Sequence, residues 1–178
     1  LRARAPLLRD GLDVFTPALR RTPPESLDPN IKSHNYLNLV LADLEVRDRS
    51  SHAWAVLLDT RGYLSEGIGS NIFLVKDGVV FTPDAQYVLA GISRQVVIDL
   101  ALALGLEVRE TDLRVMDATE ADEAFITSTS FCICPVRTYD GATLGASQVP
   151  GPVTQRLSEA FAGEVGHDFV SQYLQALD

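Results

Sequence analysis

The fold is decided by the stretch NIFLVKDGVVF, residues 71–81. Apolar runs over 71–75 and 79–81 predict two strands, and the polar triplet Lys76-Asp77-Gly78 predicts a tight hairpin turn between them. Working outward, the same kind of apolar run predicts four further strands, over 54–58, 106–108, 123–127 and 133–138. The sheet is therefore expected to contain hairpins.

Helices are predicted between these strands at irregular intervals. Apolar residues recur at helical spacing over 35–47, 93–104 and 153–162. Ser93 is expected to cap the second helix, and Gly105 to end it. Residues 1–9 are predicted to form a strand whose surroundings are missing, so we expect further chain before Leu1, with removal of an initiator methionine as the simpler alternative. The mixture predicts an α+β domain with mixed sheets and packed helices, rather than a doubly wound parallel sheet.

Composition excludes several function classes. The 178 residues are 46% hydrophobic and carry a net charge of −9, which fits one acidic domain and disfavours nucleic acid or an anionic membrane as partner. No apolar run approaches the roughly 18 residues of a membrane span, and no signal peptide is visible, so we expect a cytoplasmic protein.

The cysteines and histidines predict neither a disulfide nor a metal site. Cys132 and Cys134 are one residue apart, too close for an ordinary bridge, and the three histidines are scattered along the chain. Two cysteines at that spacing on a strand are expected to lie on one core face.

The chain has only two lysines, Lys32 and Lys76. Lys76 falls in the hairpin turn, where a solvated lysine is ordinary. Lys32 lies between a proline-rich loop over 21–29 and an apolar helix, where an amine can act as an imine-forming nucleophile. Position alone favours the alternative, a surface lysine whose stem packs on apolar residues.

Three more segments could carry chemistry, each with a structural alternative. Glu66 precedes a glycine-rich turn that permits close backbone approach, although a turn cap explains it equally well. Gly91-Ile92-Ser93 opens a helix and could cradle a phosphate or merely cap the helix. The hydroxyl run 127–130 suits an oxyanion, or is a polar turn. Together with an imine-forming lysine, these are the parts of a pyridoxal phosphate site.

These segments, in this order, resemble the fold-type IV (class IV) pyridoxal-phosphate enzymes, which include branched-chain and D-amino-acid aminotransferases and aminodeoxychorismate lyase. The likeness runs from about residue 20 to the C-terminus. The segments that carry it are IKSHNYL (31–37, the Schiff-base lysine motif), EGIGSNIF (66–73), LAGISR (89–94), TSTS (127–130) and GPVT (151–154).

The resemblance implies pyridoxal 5′-phosphate as cofactor and a role for each matching residue. Lys32 would hold the cofactor and move the proton, Glu66 would pair with the pyridine nitrogen, and Tyr36 would contact the phenolic oxygen. Leu89 would pack against the ring. The phosphate would be bound by Gly91, Ile92, Ser93 and Thr129, and the substrate carboxylate by Thr129 and Ser130.

The resemblance further implies a homodimeric aminotransferase that moves an amino group between an amino acid and a 2-oxo acid. The runs 35–38 and 151–154 favour the branched-chain type. The alternatives are aminodeoxychorismate lyase, a D-amino-acid or (R)-amine transaminase, and an inactive fragment. Residues 1–178 would be the large cofactor-binding domain alone, because no segment of this sequence resembles the family's small N-terminal domain. That domain supplies a phosphate-binding arginine and most of the substrate pocket.

Two positions depart from the family pattern. Cys132 stands where the family often has glutamate, which weakens a subfamily assignment. Tyr36 follows Lys32 by four positions, one fewer than in branched-chain enzymes, which weakens its predicted contact with the phenolic oxygen.

Overall fold

The computed structural model describes residues 4–146 and 148–177. Its strands are β1 Leu12–Phe15, β2 Ala53–Leu58, β3 Leu64–Gly67, β4 Ser70–Lys76, β5 Val79–Thr82, β6 Val108–Glu110, β7 Glu123–Ser128, β8 Cys132–Tyr139 and β9 Ala142–Thr143. Its helices are α1 Ala5–Asp10, α2 Leu37–Val46, α3 Ile92–Ala103, α4 Val115–Thr119, α5 Pro152–Val165 and α6 Phe169–Leu174. Helices and mixed strands confirm the predicted α+β class.

The strands form one mixed sheet in the order β3-β2-β1-β8-β7-β4-β5-β6, with β9 on β8. Strand β1 runs parallel to both of its neighbours, and most other pairs are antiparallel. Because β3 also pairs with β4, six strands close into a ring of pairings. The β4–β5 hairpin turns at Asp77 and Gly78, which both have positive φ, as the sequence predicts.

Residues on the two faces of the ring build separate apolar clusters. One face of β4 and β7 contributes Ile72 and Ile126 to the largest cluster. The opposite face contributes Phe73 and Phe125, which stack with ring centroids 5.0 Å apart beneath α3 and α5. A third cluster joins α2 to β2. Helices α2 and α3 therefore cover different strands. A cleft lies between the start of α2, strand β3 and the segment that precedes α3.

Three predicted boundaries are wrong. The structure places helix α1 within the predicted strand over 1–9, with Pro6 in its first turn, and residues 1–3 lie outside the described residues. Ser93 does not cap α3, because Gly91 is the N-cap and the helix already begins at Ile92. The strand predicted over 106–108 is Val108–Glu110.

The late start of that strand has a local cause. The backbone N–H of Gly105 donates to Leu102, and that of Leu106 donates to Ala101. This pair of bonds is a Schellman motif, which uses Leu106 to close helix α3 rather than to begin a strand.

The two cysteines do not share a core face. Cys134 is buried in the largest cluster, whereas Cys132 packs against the cluster beneath α3 and α5. Cys132 has a φ of +57°, in the left-handed region, so the strand alternation assumed for the pair is broken at its first member.

Within residues 4–146 and 148–177, no helix combines the length and apolarity needed to cross a membrane.

Candidate functional site

Lys32 is presented by a short helical turn at the edge of this cleft. Asp28 accepts a hydrogen bond from the backbone N–H of Asn30 at 2.8 Å and caps the 3-10 turn Pro29–Ile31. Lys32 then adopts a left-handed conformation with φ +50°, which ends the turn and leaves the side chain exposed. The cleft is lined by four of the predicted site residues, Lys32, Tyr36, Glu66 and Leu89.

Glu66 is the buried carboxylate of this cleft, with 5% of its surface exposed. One carboxylate oxygen accepts from Nε of Arg21 at 2.9 Å, and the other accepts from the backbone N–H of Leu89 at 3.0 Å. Burial raises the pKa of Glu66, while the positive charge of Arg21 acts to lower it. The arginine therefore helps keep a buried carboxylate ionised.

The segment before α3 is hydrogen-bonded to residues on both sides of the cleft. The Asn71 side chain donates to the carbonyl of Leu89 at 2.9 Å. The N–H of Ala90 donates to the side-chain oxygen of Asn30 at 3.0 Å. The lysine-bearing turn, the glutamate strand and the start of α3 are thus held together by specific hydrogen bonds.

The first turn of α3 is open. Its N-cap is Gly91, which has no side chain to offer, and no side-chain cap bonds the first turn among the described residues. A Cβ on Gly91 would lie 2.4 Å from Oδ1 of Asn71, so any larger residue would have to displace that side chain. Ile92 is 84% exposed and Ser93 is half-buried. Unpaired N–H groups at a helix N-terminus favour an anion.

Thr129 and Ser130 are exposed in the turn between β7 and β8. The turn is anchored from below: Ser128 Oγ accepts from the N–H of Phe131, and the Tyr173 hydroxyl donates to the Ser130 carbonyl. Phe131 is fully buried. The turn is therefore rigidly supported while its two hydroxyl residues face outward.

The predicted residues fall into two neighbouring groups. Four line the cleft, whereas Gly91, Ile92, Ser93, Thr129 and Ser130, all described, do not line it themselves. Leu89 joins the groups, since it lines the cleft and lies two residues before Gly91.

Sequence reasoning missed Arg21 and Asn30, and took Asn71 only as part of a motif. The bond from Arg21 to Glu66 spans 45 positions and that from Asn30 to Ala90 spans 60, so no local spacing reveals either. The one local signal was that Arg21 begins the proline-rich loop that leads to Lys32. No group of metal-ligating side chains is found among the described residues.

The other lysine is engaged elsewhere. Nζ of Lys76 donates to the carbonyl of Glu120 at 2.9 Å and to Asp122 at 3.0 Å. These contacts match the structural interpretation of Lys76 and make it a natural internal control for Lys32.

The family model for amino-transferase class IV matches residues 1–139. The chain belongs to this family. Two relatives are branched-chain-amino-acid aminotransferases: that of Escherichia coli K12 is 41% identical over 161 residues, 89% of this chain and 52% of the relative. That of Pseudomonas aeruginosa is 36% identical over 155 residues, 86% of this chain and 50% of the relative. The chain thus spans about half the length of these class IV aminotransferases.

Solved structures of the family have the same fold. A branched-chain amino acid aminotransferase from T.th., complexed with N-(5′-phosphopyridoxyl)-L-glutamate, superposes with a TM-score of 0.83 at 34% identity, covering 89% of this chain and 53% of that one. The Escherichia coli enzyme gives a TM-score of 0.81 at 41% identity, covering 86% and 50%. The similarity again covers about half of each class IV relative.

Proposed function

We propose that this chain is the large, cofactor-binding domain of a pyridoxal-phosphate-dependent aminotransferase that acts on an amino acid, branched-chain in preference, and a 2-oxo acid. One observation carries the proposal: a cleft lined by Lys32, Tyr36 and Glu66 lies beside an open helix N-terminus. The branched-chain preference rests on the relatives, which are branched-chain enzymes.

The residues present fit pyridoxal phosphate on three counts. Lys32 offers an amine at the cleft edge, and Glu66 offers a buried carboxylate for a protonated ring nitrogen. The two bonds to Glu66 leave lone pairs free on its oxygens. The first turn of α3 offers N–H groups for the phosphate. When bound, the cofactor supplies an electron sink for the substrate's Cα electrons.

Each residue then has a stated task. Lys32 Nζ would hold the cofactor and, as a free amine, would accept and return the proton at the substrate's Cα. Glu66 holds the proton on the ring nitrogen, and Arg21 keeps Glu66 in place and ionised. Tyr36 and Leu89 both line the cleft, where Tyr36 would contact the ring's phenolic oxygen and Leu89 would pack on the ring.

The second group of residues would hold the charged groups of the ligands, namely the cofactor phosphate and the substrate carboxylate. The N–H groups of Ile92 and Ser93 at the start of α3, where Gly91 admits close approach, receive the phosphate together with Thr129. Thr129 and Ser130 orient the substrate carboxylate from the supported turn between β7 and β8.

A dimer is also proposed, on the exposed apolar face of α2. Leu37, Leu41 and Leu44 are 66%, 44% and 46% exposed, and this face lies just after Lys32. Apolar patches of this kind mark contact surfaces. The mass of the chain measured by light scattering tests it: twice 19.4 kDa supports a homodimer, and 19.4 kDa contradicts one.

Borohydride reduction in the presence of pyridoxal phosphate, followed by peptide mass mapping, tests the proposal. We expect the adduct on Lys32, with Lys76 unlabelled as the internal control. Lys32→Ala should not form the adduct. Its transamination activity should be lower than the parent's by about a thousandfold or more, which is on the order of the effect of removing a covalent nucleophile. An adduct on Lys76 alone, or activity in Lys32→Ala within a few-fold of the parent, contradicts the proposal. Pyruvate release without an amino acceptor would instead indicate the lyase.

A further inference from the structure

A buried hydroxyl without a hydrogen-bond partner lies near the start of α3. Thr127 on β7 is 1% exposed, and its Oγ1 has no partner. Within residues 4–146 and 148–177, only two other buried side-chain polar atoms share this state, Nε of Arg94 and Oγ1 of Thr154. A buried hydroxyl left unpaired costs free energy, so its presence requires an explanation.

The sheet register places this hydroxyl on the face that α3 covers. Thr127 pairs with Asn71 across β7 and β4, and Phe125 pairs with Phe73 two residues along. Paired residues, and residues two apart on a strand, share a face. The two phenylalanines pack in the cluster beneath α3, so Thr127 and Asn71 also lie on that face.

Asn71 connects this position to the helix end. Its Oδ1 lies so close to Gly91 that a Cβ there would be only 2.4 Å away. Thr127 is the next residue across the sheet from Asn71, and Thr129 follows two positions later in the turn. The open first turn of α3, the buried hydroxyl and the hydroxyl-rich turn are therefore linked through Asn71 as neighbours at one end of β4 and β7.

We propose that Thr127 is a further phosphate-binding residue, whose hydroxyl donates a hydrogen bond to the anion held at the first turn of α3. The hydroxyl lacks a partner because that partner belongs to the ligand. We do not assign this role to Arg94, whose Nη2 donates to the Pro83 carbonyl at 2.9 Å and to Glu110 at 2.6 Å. This inference rests on the proposed function.

The test compares two ligands on matched variants. Thr127→Val replaces the hydroxyl by a methyl group, and Thr154→Val makes the same change at another buried, unpaired hydroxyl, on α5. Thr127→Ser keeps the hydroxyl. Dissociation constants for pyridoxal phosphate and for pyridoxal, which lacks the phosphate, are measured by absorbance titration, and melting temperatures are measured without ligand.

We expect Thr127→Val to weaken pyridoxal phosphate binding by about 10- to 100-fold, the range for a lost hydrogen bond to a charged group, with pyridoxal within about twofold. Its melting temperature should not fall, since the lost hydroxyl bonded nothing. Thr127→Ser and Thr154→Val should keep the parent's preference for the phosphorylated ligand.

Three results would overturn the inference. An unchanged phosphate preference in Thr127→Val contradicts it while leaving the proposed function intact. Failure of Thr127→Val to fold shows that the hydroxyl supports the structure instead. A parent chain with no preference for pyridoxal phosphate over pyridoxal, and no adduct on Lys32, removes both the inference and the proposed function.

Discussion

Helices α3 and α5 begin alike but differ in what meets their first turns. Each follows an extended glycine, Gly91 or Gly151, that provides no side-chain cap. At α5, the carboxylate of Glu123 accepts from the N–H groups of Val153 and Thr154 at 2.9 and 2.8 Å. At α3, no described side chain bonds the corresponding groups.

The comparison separates a helix end that serves the fold from one that is available to a ligand. Glu123 brings its side-chain carboxyl group to the positive end of α5 and satisfies N–H groups of its first turn. At α3, the side chain of Asn71 lies beside Gly91, but it is neutral and donates to the carbonyl of Leu89 instead. The first turn of α3 is therefore left open for the anion that we propose, whereas at α5 the protein's own carboxylate takes that place.

Removing the carboxylate from α5 should produce the largest change in stability. Glu123→Ala leaves two N–H groups in a buried setting unpaired, at a cost of about 2–3 kcal/mol in the free energy of unfolding, measured by urea denaturation. Glu123→Gln keeps one accepting oxygen and should cost about 1 kcal/mol. Both variants should keep the parent's affinity for pyridoxal phosphate. A cost below about 0.5 kcal/mol for Glu123→Ala would show that the carboxylate does not close the helix.

Lowering the pH should reveal the contribution to stability of a second structural carboxylate, that of Asp13 on β1. Burial raises its pKa, but hydrogen bonds from Arg137, Ser50 and Thr138 outweigh this and lower the pKa to about 2. A lowered pKa stabilises the fold above the unfolded value near 3.8, and this stabilisation is lost as pH falls towards 2.

The expected loss over that pH window is about 2 kcal/mol in the free energy of unfolding. Denaturant midpoints measured between pH 5 and pH 2 should record this loss. Asp13→Asn is the control, because it lacks the titrating carboxyl group. Equal pH dependence in the parent and in Asp13→Asn would contradict the assignment.

Substituting alanine for the glycine before each helix should produce the smallest effects, and the two variants form a matched pair. Gly91→Ala places a Cβ 2.4 Å from Asn71 Oδ1, and Gly151→Ala places one 2.3 Å from the Glu123 carboxyl carbon. Both should lower the melting temperature. Only Gly91→Ala should also weaken pyridoxal phosphate binding, by about tenfold, or 1.4 kcal/mol. Equal losses of affinity in the two variants would remove the distinction between the helix ends.

Local patterns in the sequence predicted much of this architecture. The hairpin over 71–81 and helix α3 were recognisable because turn residues and apolar spacing lie within a dozen positions. Helix α1 was missed because six residues are too few to show a helical period. The start of α3 was misplaced from Gly91 to Ser93 because the contact that requires glycine comes from Asn71, a strand away.

The site was only partly predictable for the same reason. Lys32, Tyr36, Glu66 and Leu89 came from motifs, and the structure brings them to one cleft. The residues that hold them are distant in sequence, as Arg21 is from Glu66. Glu123 likewise closes a helix 30 positions later. Such partners become visible only when the sheet has brought the strands together.

The most direct measurement is an NMR titration of the ¹⁵N-labelled chain with pyridoxal phosphate, following the backbone amides at the two helix ends. The amides of Ile92 and Ser93 should shift as ligand binds, while those of Val153 and Thr154, already bonded to Glu123, should stay in place. Shifts of equal size at both ends, or none at Ile92 and Ser93 while Lys32 becomes labelled, would contradict phosphate binding at α3.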